Sequence, residues 1–580
     1  MRLALCLFLF GIPFLAFPQK NSLQIKGKVV DALSGEALPY VNIVLTNSNR
    51  GTISNSQGVF TIENLKSGDS LEFSFIGYKN FDLIIRGSRD SLILKMKPEN
   101  KLLNSVTIYG NDEFLNEMIQ KVRKRENKSN IQAKTYYSLS SQYKNEEVEL
   151  LEAYYNGEFR GADVVNLHLK NGRIALKNKD DRFFISSETS LAFCRSSSFD
   201  ENQYFPSNPL EMSKKKLSKN YNLALEERYI SSKGRVIYII SCHPKKNKAS
   251  AFESTFWVDS ASSSLLRLKC EITDAKVHPF VSLSSRSKLE KVDLSIRKNF
   301  IEIEGQSFLK TMDFDYRLHY VSERGNPFTL KSEAVLYAYA FKEAFNLPFF
   351  EFSKGSYEDY RNINASPYHS EFWKLNTEFT LYDGKEKEEL FKENSAGLSN
   401  RELFIGNKYF KTGFFEHPYV FWSEKRIAFR PEEGNQKIKV DPLPSNRYHF
   451  EVQIYLDYSI FEDSIYYNIA TIFDPFKTFC YLPESPQTAA FINIYFDLME
   501  IEKRKMEKEL RAPGIEEKDI EIIYDNCKRR CEKISRQYFK EVQRAKNWLA
   551  LEQWNARVKK ELGIDNILIY QLKDPSEFKN

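Results

Sequence analysis

The sequence predicts a mainly β protein with a helical C-terminal part: an N-terminal β-sandwich, a central antiparallel β-rich body and a C-terminal helical hairpin. Three observations point to it. Between 24 and 97, apolar and polar residues alternate with a period close to two, which marks strands buried on one face. Long alternating runs return between 127 and 345, VIYIISCHP and KTMDFDYRLHYVSERG among them. From 516 to 562 the step changes to three or four residues, through Ile520, Ile523, Cys527, Cys531, Ile534, Tyr538, Val542, Ala545 and Leu549, the spacing of one helix face.

The chain opens with Arg2, the apolar run LALCLFLFGIPFLAF and a small-residue exit near Ala16. That order predicts a secretory signal peptide over residues 1–18. The run falls short of the ~20 residues that a membrane span needs, with a permanent N-terminal anchor as the alternative reading. Cys6 lies inside the run, too early for a lipidated cysteine. Later apolar patches such as VLYAYAF (335–341) and FINIY (491–495) are broken by charges within a few residues. Helical tracts near the end and a final DPSEFKN without an aromatic-rich strand argue against a membrane barrel.

In the front module Ile25, Gly27 and Val29 begin the first strand. Val41, Ile43 and Leu45 form the next, then Val59, Phe60 and Ile62; Leu71, Phe73 and Phe75 lead on to Phe81, Leu83 and Ile85, and Leu92, Leu94 and Met96 close the series. SGEALP, NSNRG, NSQG, KSGD and IGYKN separate them, all rich in residues that accept turn geometry. Six or seven short strands in about 75 residues predict a small antiparallel β-sandwich with Greek-key or prealbumin-like connections. Gly58 is expected at positive φ. Tyr78 is expected at the edge of the core with its hydroxyl in water.

The module carries a resemblance. G-x-V-x-D at Gly27 to Asp31, S-G-E-x-L-P at Ser34 to Pro39 and V-x-I at Val41 to Ile43 are followed by G-T-x-S-N-x-x-G-x-F at Gly51 to Phe60 and F-x-x-I-G-Y at Phe73 to Tyr78. Over residues 24–97 this resembles the carboxypeptidase-regulatory-like domain of envelope proteins in Gram-negative bacteria, and also the extension that precedes the plug of many TonB-dependent receptors. Gln57 replaces the acidic residue often found before that glycine. The resemblance implies an accessory module, a structural adaptor or a surface that docks a partner; it implies no peptidase activity.

Beyond the module, the reading gives a linker strand (LLNSVTIYG, 102–110) and an amphipathic helix within 98–126. A β-rich central domain follows at 127–345, then a β and loop region at 346–486 and a helical region at 487–580. Phe114, Leu115, Met118, Ile119 and Val122 form the apolar stripe of the first helix. The helix, a Tyr-rich strand, F-W-V-D at Phe256 to Asp259 and L-L-R at Leu265 to Arg267 resemble the middle of uncharacterised envelope proteins that share the module. In those a curved antiparallel sheet follows, somewhat like the lipoprotein-carrier fold. YHFEVQIYLDY (448–458) reads as a strand among long loops. At the end, helices at 487–510 and 516–562 are parted by APG (512–514). They pack on the sheet as a hairpin or stand exposed as a coiled coil for a partner.

Composition narrows the chemistry. The 580 residues carry 84 basic and 78 acidic side chains, a net charge of +6 without a concentrated basic block, so no nucleic-acid partner is expected. KKKLSK (214–219) and HPKKNK (243–248) read as solvated loops. Cys194, Cys242, Cys270, Cys480, Cys527 and Cys531 follow the leader, too widely spread for a dense disulfide framework. Cys527 and Cys531 sit four apart on a helix; the spacing suits half a metal site, but without a CxxC or a nearby histidine two buried thiols are expected. His168, His243, His278, His319, His369, His417 and His449 show neither H-x-x-E nor H-E-x-x-H. A nucleophile elbow, a P-loop and a dinucleotide-binding glycine turn are also missing from the sequence. The expectation is therefore a non-catalytic envelope protein, exported to the periplasm, outer membrane or cell surface, with a binding or scaffolding role. It has no catalytic, cofactor-binding or metal residues and no cofactor; its partner is an envelope or cell-surface protein, with peripheral outer-membrane association left open. The alternative is an envelope hydrolase acting on peptide or glycan, whose paired acids need no fixed spacing.

Overall fold

The computed structural model describes residues 23–573 apart from 47–49, 56, 102–111, 177–184, 187–188, 232–233, 247–248, 283–286, 323–324, 353–357, 377–418, 424–425, 428–447, 462–463, 481 and 483–484. The expected leader and the linker strand at 102–110 lie outside the described residues. Those that are described form two units, 23–98 and 99–573.

The front unit is a sandwich of β1 (Leu23–Asp31), β2 (Asn42–Leu45), β3 (Gly51–Ile53), β4 (Val59–Leu65), β5 (Ser70–Ser74), β6 (Phe81–Ile84) and β7 (Arg89–Met96). One sheet runs β4-β1-β7, the other β3-β2-β5-β6. Ile25, Val29, Ile43, Phe60, Leu71 and Phe73 fill the space between them, and the Phe60 and Phe73 rings meet edge to face at 5.3 Å. The sandwich is not wholly antiparallel as expected. β7 lies parallel to β1, with Gly27 opposite Leu92 and Asp31 opposite Met96. Alternation reports which face is buried and is silent about strand direction; here the chain crosses to the other sheet for β5 and β6 and returns alongside β1.

Two turn residues explain their places. Gly58 has φ 76°, and a β-carbon there would sit 2.6 Å from the Val29 carbonyl oxygen. The Tyr78 hydroxyl, expected in water, donates instead to Asp31 Oδ2 at 2.6 Å. Asp31 Oδ1 accepts from the backbone N–H groups of Leu33 and Ser34 at 2.6 and 2.8 Å. These bonds, that of Tyr78 first, hold the Asp31 carboxyl below its ordinary range.

In the second unit β8 (Asn100–Lys101) and α1 (Asp112–Lys124) lead to β9 (Asn130–Tyr143), β10 (Glu146–Arg160) and β11 (Asp163–Leu176). β12 (Ile185–Ser186), α2 (Thr189–Arg195) and α3 (Lys214–Asn220) come before β13 (Tyr221–Ile230), β14 (Val236–Pro244), β15 (Glu253–Asp259) and β16 (Leu265–Ile272). β17 (Val281–Ser282) pairs with β12, and β18 (Lys288–Ile303), β19 (Gln306–Val321) and β20 (Pro327–Phe341) are the long strands that follow. Eleven strands make one sheet in the order β11-β10-β9-β20-β19-β18-β16-β15-β14-β13-β8, with every neighbouring pair antiparallel.

β19 shows why such a strand forms. Met312, Phe314, Tyr316, Leu318 and Tyr320 all enter the core, while Thr311, Asp313, Asp315 and Arg317 alternate onto the other face. Leu115, Met118, Ile119 and Val122 of α1 join the same core. Phe114, the fifth member of the expected stripe, is 39% exposed and meets the Tyr238 ring at 6.0 Å. The KKKLSK segment is not the expected loop but α3, with Leu217 buried and Lys214 paired to Glu113 and Glu117 of α1 at 3.3 and 3.2 Å.

α4 (Glu358–Ala365), α5 (Ser370–Leu375) and β21 (Val420–Phe421) come before a hairpin of β22 (Tyr448–Phe461) and β23 (Ser464–Cys480). The helices α6 (Pro486–Leu510), α7 (Glu517–Val542), α8 (Trp548–Leu562) and α9 (Asn566–Ile569) follow. Leu456 and Phe473 share one core with Phe491, Ile494, Leu498 and Tyr538, so the hairpin and the helices pack together across position 486. Ser485 caps α6 by accepting from the Thr488 N–H at 3.1 Å, with Pro486 in the first turn, where its missing N–H costs nothing. The expected helix over 516–562 is broken: Gln543, Arg544 and Ala545 take φ of 50°, 63° and 63°, and Asn547 starts α8 by accepting from Ala550 N–H at 3.3 Å. Without a glycine or proline at 543–547 the helical spacing simply runs through the break.

Candidate functional site

A cavity of about 370 Å³ opens where the end of α1 meets the β15–β16 and β18–β19 turns, a volume within the range of small-ligand sites. Val122, Ala162, Phe199, Leu265 and Phe300 form its apolar side, and Arg125, Glu126 and Lys128 are its charged side chains. Asn127 organises the rim. Its Oδ1 accepts from Ser129 N–H at 2.9 Å and its Nδ2 donates to the Ser307 carbonyl at 3.1 Å. Gly161 has φ 56°, and a β-carbon there would lie 2.0 Å from the Asn127 carbonyl oxygen. Its N–H donates to Ser129 O at 3.3 Å, and its own carbonyl accepts from Leu309 N–H at 2.9 Å. The Arg125 guanidinium donates to the Ser262 carbonyl, and Glu126 pairs with Lys128 at 3.7 Å. No histidine, cysteine or aspartate is among the lining residues.

Lys298, Lys170 and Arg297 each belong to a buried charge cluster outside the lining. Lys298, behind Ala162, donates to Ser196 O at 2.7 Å and Ser198 Oγ at 2.8 Å and reaches Asp163 at 3.5 Å; burial pulls its ammonium pKa down, with Asp163 opposing. This pin holds the segment carrying Phe199 against the sheet. Lys170 of β11 donates to Asp457 Oδ1 at 2.5 Å, the Tyr458 carbonyl at 2.6 Å and the Asn346 carbonyl at 2.7 Å, so all three of its protons are used. Between β18 and β19, Arg297 pairs with Asp315 at 2.6 Å and lies 3.8 Å from Asp313. Among the described residues neither Asp313 oxygen has a hydrogen-bond partner. Burial pushes Asp313 up to about 7 and Asp315 up to about 6, with Arg297 opposing in both.

The histidines are scattered. His168, His243 and His449 each lie near one glutamate, at 3.2, 2.9 and 3.3 Å, and His319 lies 3.2 Å from Thr329. Burial lowers His278, and lowers His369 to about 4; His417 lies outside the described residues. Among the described residues no three His, Cys, Asp or Glu side chains gather where a metal ion could sit, and the six cysteines there are free thiols. No helix there is long and apolar enough to cross a membrane. The cavity rim escapes sequence reasoning because Asn127 follows α1 and Ser307 stands at the start of β19, 180 positions further on. Gly161, at the end of a long alternating run, is the one local signal.

The geometry defines a β-sandwich module followed by a large antiparallel sheet and a helical end. Residues 25–108 match the family model of the CarboxypepD_reg-like domain, the family that the module's motifs resemble. Among solved structures, the chain is similar to a LolA superfamily protein from Nitrosomonas europaea, with 11% identity over 41% of this chain and 96% of the other at a TM-score of 0.17. It is also similar to a domain described as an outer membrane lipoprotein-sorting protein from Vibrio parahaemolyticus, with 12% identity, 40% and 92% coverage and a TM-score of 0.18. A third is the MucA/MucB complex of Pseudomonas aeruginosa, with 8% identity, 38% and 93% coverage and a TM-score of 0.14. These scores are too low to carry fold or function across. No curated protein matches the chain.

Proposed function

We propose that this is a non-catalytic protein of the cell envelope with a binding or scaffolding role, its front β-sandwich serving as the adaptor. In this reading residues 1–18 direct export, and the protein works in the periplasm or at the outer membrane or cell surface with an envelope or cell-surface protein as partner. The observation that carries the binding role is the chemistry of the cavity. Its apolar side suits the body of a small ligand or a partner's side chain, and its rim offers Arg125, Lys128 and backbone groups to a polar end. A nucleophile–base pair is missing from the lining. The family match of the module supports the adaptor role.

One observation favours the second reading, an envelope hydrolase: buried Asp313 and half-buried Asp315 are an acid pair with raised pKa values, the kind of group that general acid catalysis uses. Against it, Arg297 is engaged with Asp315 at 2.6 Å, and the pair stands outside the cavity. Native mass spectrometry of the full chain exposed to envelope extract, beside Ser307→Trp, which would fill the mouth of the cavity, separates the two. A small molecule held by the wild type and excluded from the variant supports binding. Cleavage of glycan or peptide that is lost in Asp313→Asn, or a stoichiometric zinc in protein purified without chelator, overturns the non-catalytic reading.

A further inference from the structure

Cys527 and Cys531 stand four residues apart on α7 and belong to neither the cavity nor the module. Cys527 is buried, its thiol donating to the Glu502 carbonyl of α6 at 3.5 Å, while Cys531 is half-buried and opens the pair to solutes. The four-residue spacing puts both side chains on one face of α7; Cys531 holds Cys527 below the ordinary thiol range, and Cys527 pushes Cys531 up. Arg530 favours the charged form of Cys527, and Glu502 and Glu509 oppose it.

Helix geometry decides what such a pair can do. Side chains four apart keep their β-carbons about 5–6 Å apart, whereas a disulfide needs about 3.5–4.5 Å. Ile520, Ile523, Ile534 and Tyr538 bury α7 on both sides of the pair, so the helix cannot open locally without giving up core contacts. The two sulfurs therefore remain a dithiol even in an oxidising compartment. Soft thiolates select Cu(I), zinc and iron–sulfur clusters. Structural zinc takes four ligands, iron–sulfur clusters are likewise held by four, and no third His, Cys, Asp or Glu gathers here among the described residues. Cu(I) is satisfied by two sulfurs.

We infer that Cys527 and Cys531 form a two-coordinate thiolate site for a soft monovalent metal ion, Cu(I). Binding forms two S–Cu bonds, releases both thiol protons and transfers no electron. The site is independent of the cavity and of the function proposed above.

The test titrates reduced, full-length protein anaerobically with Cu(I) buffered by the coloured chelator bicinchoninate. The wild type is expected to take one Cu(I) per chain from the chelator. Cys527→Ser and Cys531→Ser should each lose it, while Cys194→Ser and Cys480→Ser, at the other half-buried thiols, keep it. Melting curves separate loss of site from loss of fold, since Cu(I) should raise the wild-type midpoint and leave a folded serine variant unmoved. If a serine variant fails to fold, Cys531→Met keeps a soft donor on the open side and is expected to load more weakly than wild type. No copper taken by the wild type, or loading in the folded serine variants equal to that of the wild type, overturns the assignment.

Discussion

The Tyr78 hydroxyl donates to Asp31 Oδ2 at 2.6 Å, tying the turn between β5 and β6 to the end of β1. A hydrogen bond to a charged group contributes about 1.5–3 kcal/mol, and partial solvent screening favours the low end. Tyr78→Phe should therefore cost the module about 1.5 kcal/mol at neutral pH. The pKa of Asp31 is lowered in the folded state, so this stability is whole above the unfolded carboxylate value of about 3.9 and fades as pH falls through the lower folded value. Urea unfolding of both proteins should converge in acid. A gap that stays constant with pH contradicts the account.

Phe73 is fully buried against Phe60. Phe73→Ala should cost roughly 3–5 kcal/mol, enough to unfold a module of this size expressed alone as residues 23–98. Circular dichroism that shows helix in that fragment, or an unchanged melt in the variant, counts against the sandwich core.

Gly161→Ala would place a β-carbon 2.0 Å from the Asn127 carbonyl at a positive φ. The backbone must move, at a cost of about 1–3 kcal/mol. Because Leu309 N–H donates to the Gly161 carbonyl, hydrogen exchange at that amide should quicken first. Unchanged protection at Leu309 would show that the rim does not depend on this glycine.

Asp313 is raised from 3.8 to about 7 chiefly by burial, so the folded state holds a proton that the unfolded chain releases. The resulting stability is present below the ordinary carboxylate pKa and is lost as pH rises through about 7. Asp313→Asn removes the titration. Thermal melts from mildly acidic to mildly alkaline pH should fall for the wild type and stay flatter for the variant; parallel curves contradict the shift.

Lys170→Met should cost about 3–5 kcal/mol, because it leaves Asp457 buried and uncompensated. The double variant Lys170→Met/Asp457→Leu should recover much of that loss. Double-mutant analysis of melting checks it, and additive losses would mean that the two residues do not act as a pair.

What the sequence reveals follows from how local each feature is. Ile25, Val29, Phe60 and Phe73 are legible as core because a strand buries every second residue, and Leu115, Met118 and Val122 because a helix repeats its face. The parallel return of β7 is not legible, since alternation carries no direction. The break after Val542 is hidden because Gln543, Arg544 and Ala545 adopt left-handed turns without glycine; Asn547, a good helix cap, was its only trace. Lys170 and Asp457 are 287 positions apart, and Asn127 and Ser307 of the cavity rim are 180 apart. Such meetings are decided by sheet order, which the chain's local pattern does not encode.

The parallel pairing of β1 with β7 also has a mechanical meaning. The chain enters that pair beside Ile25 and leaves it beside Met96, at opposite ends of two strands running the same way. A pull on both ends slides one strand along the other and loads the whole ladder of bonds at once, instead of peeling them off in turn. Tension applied to the two ends of the module is thus met in shear, the direction in which these bonds resist together.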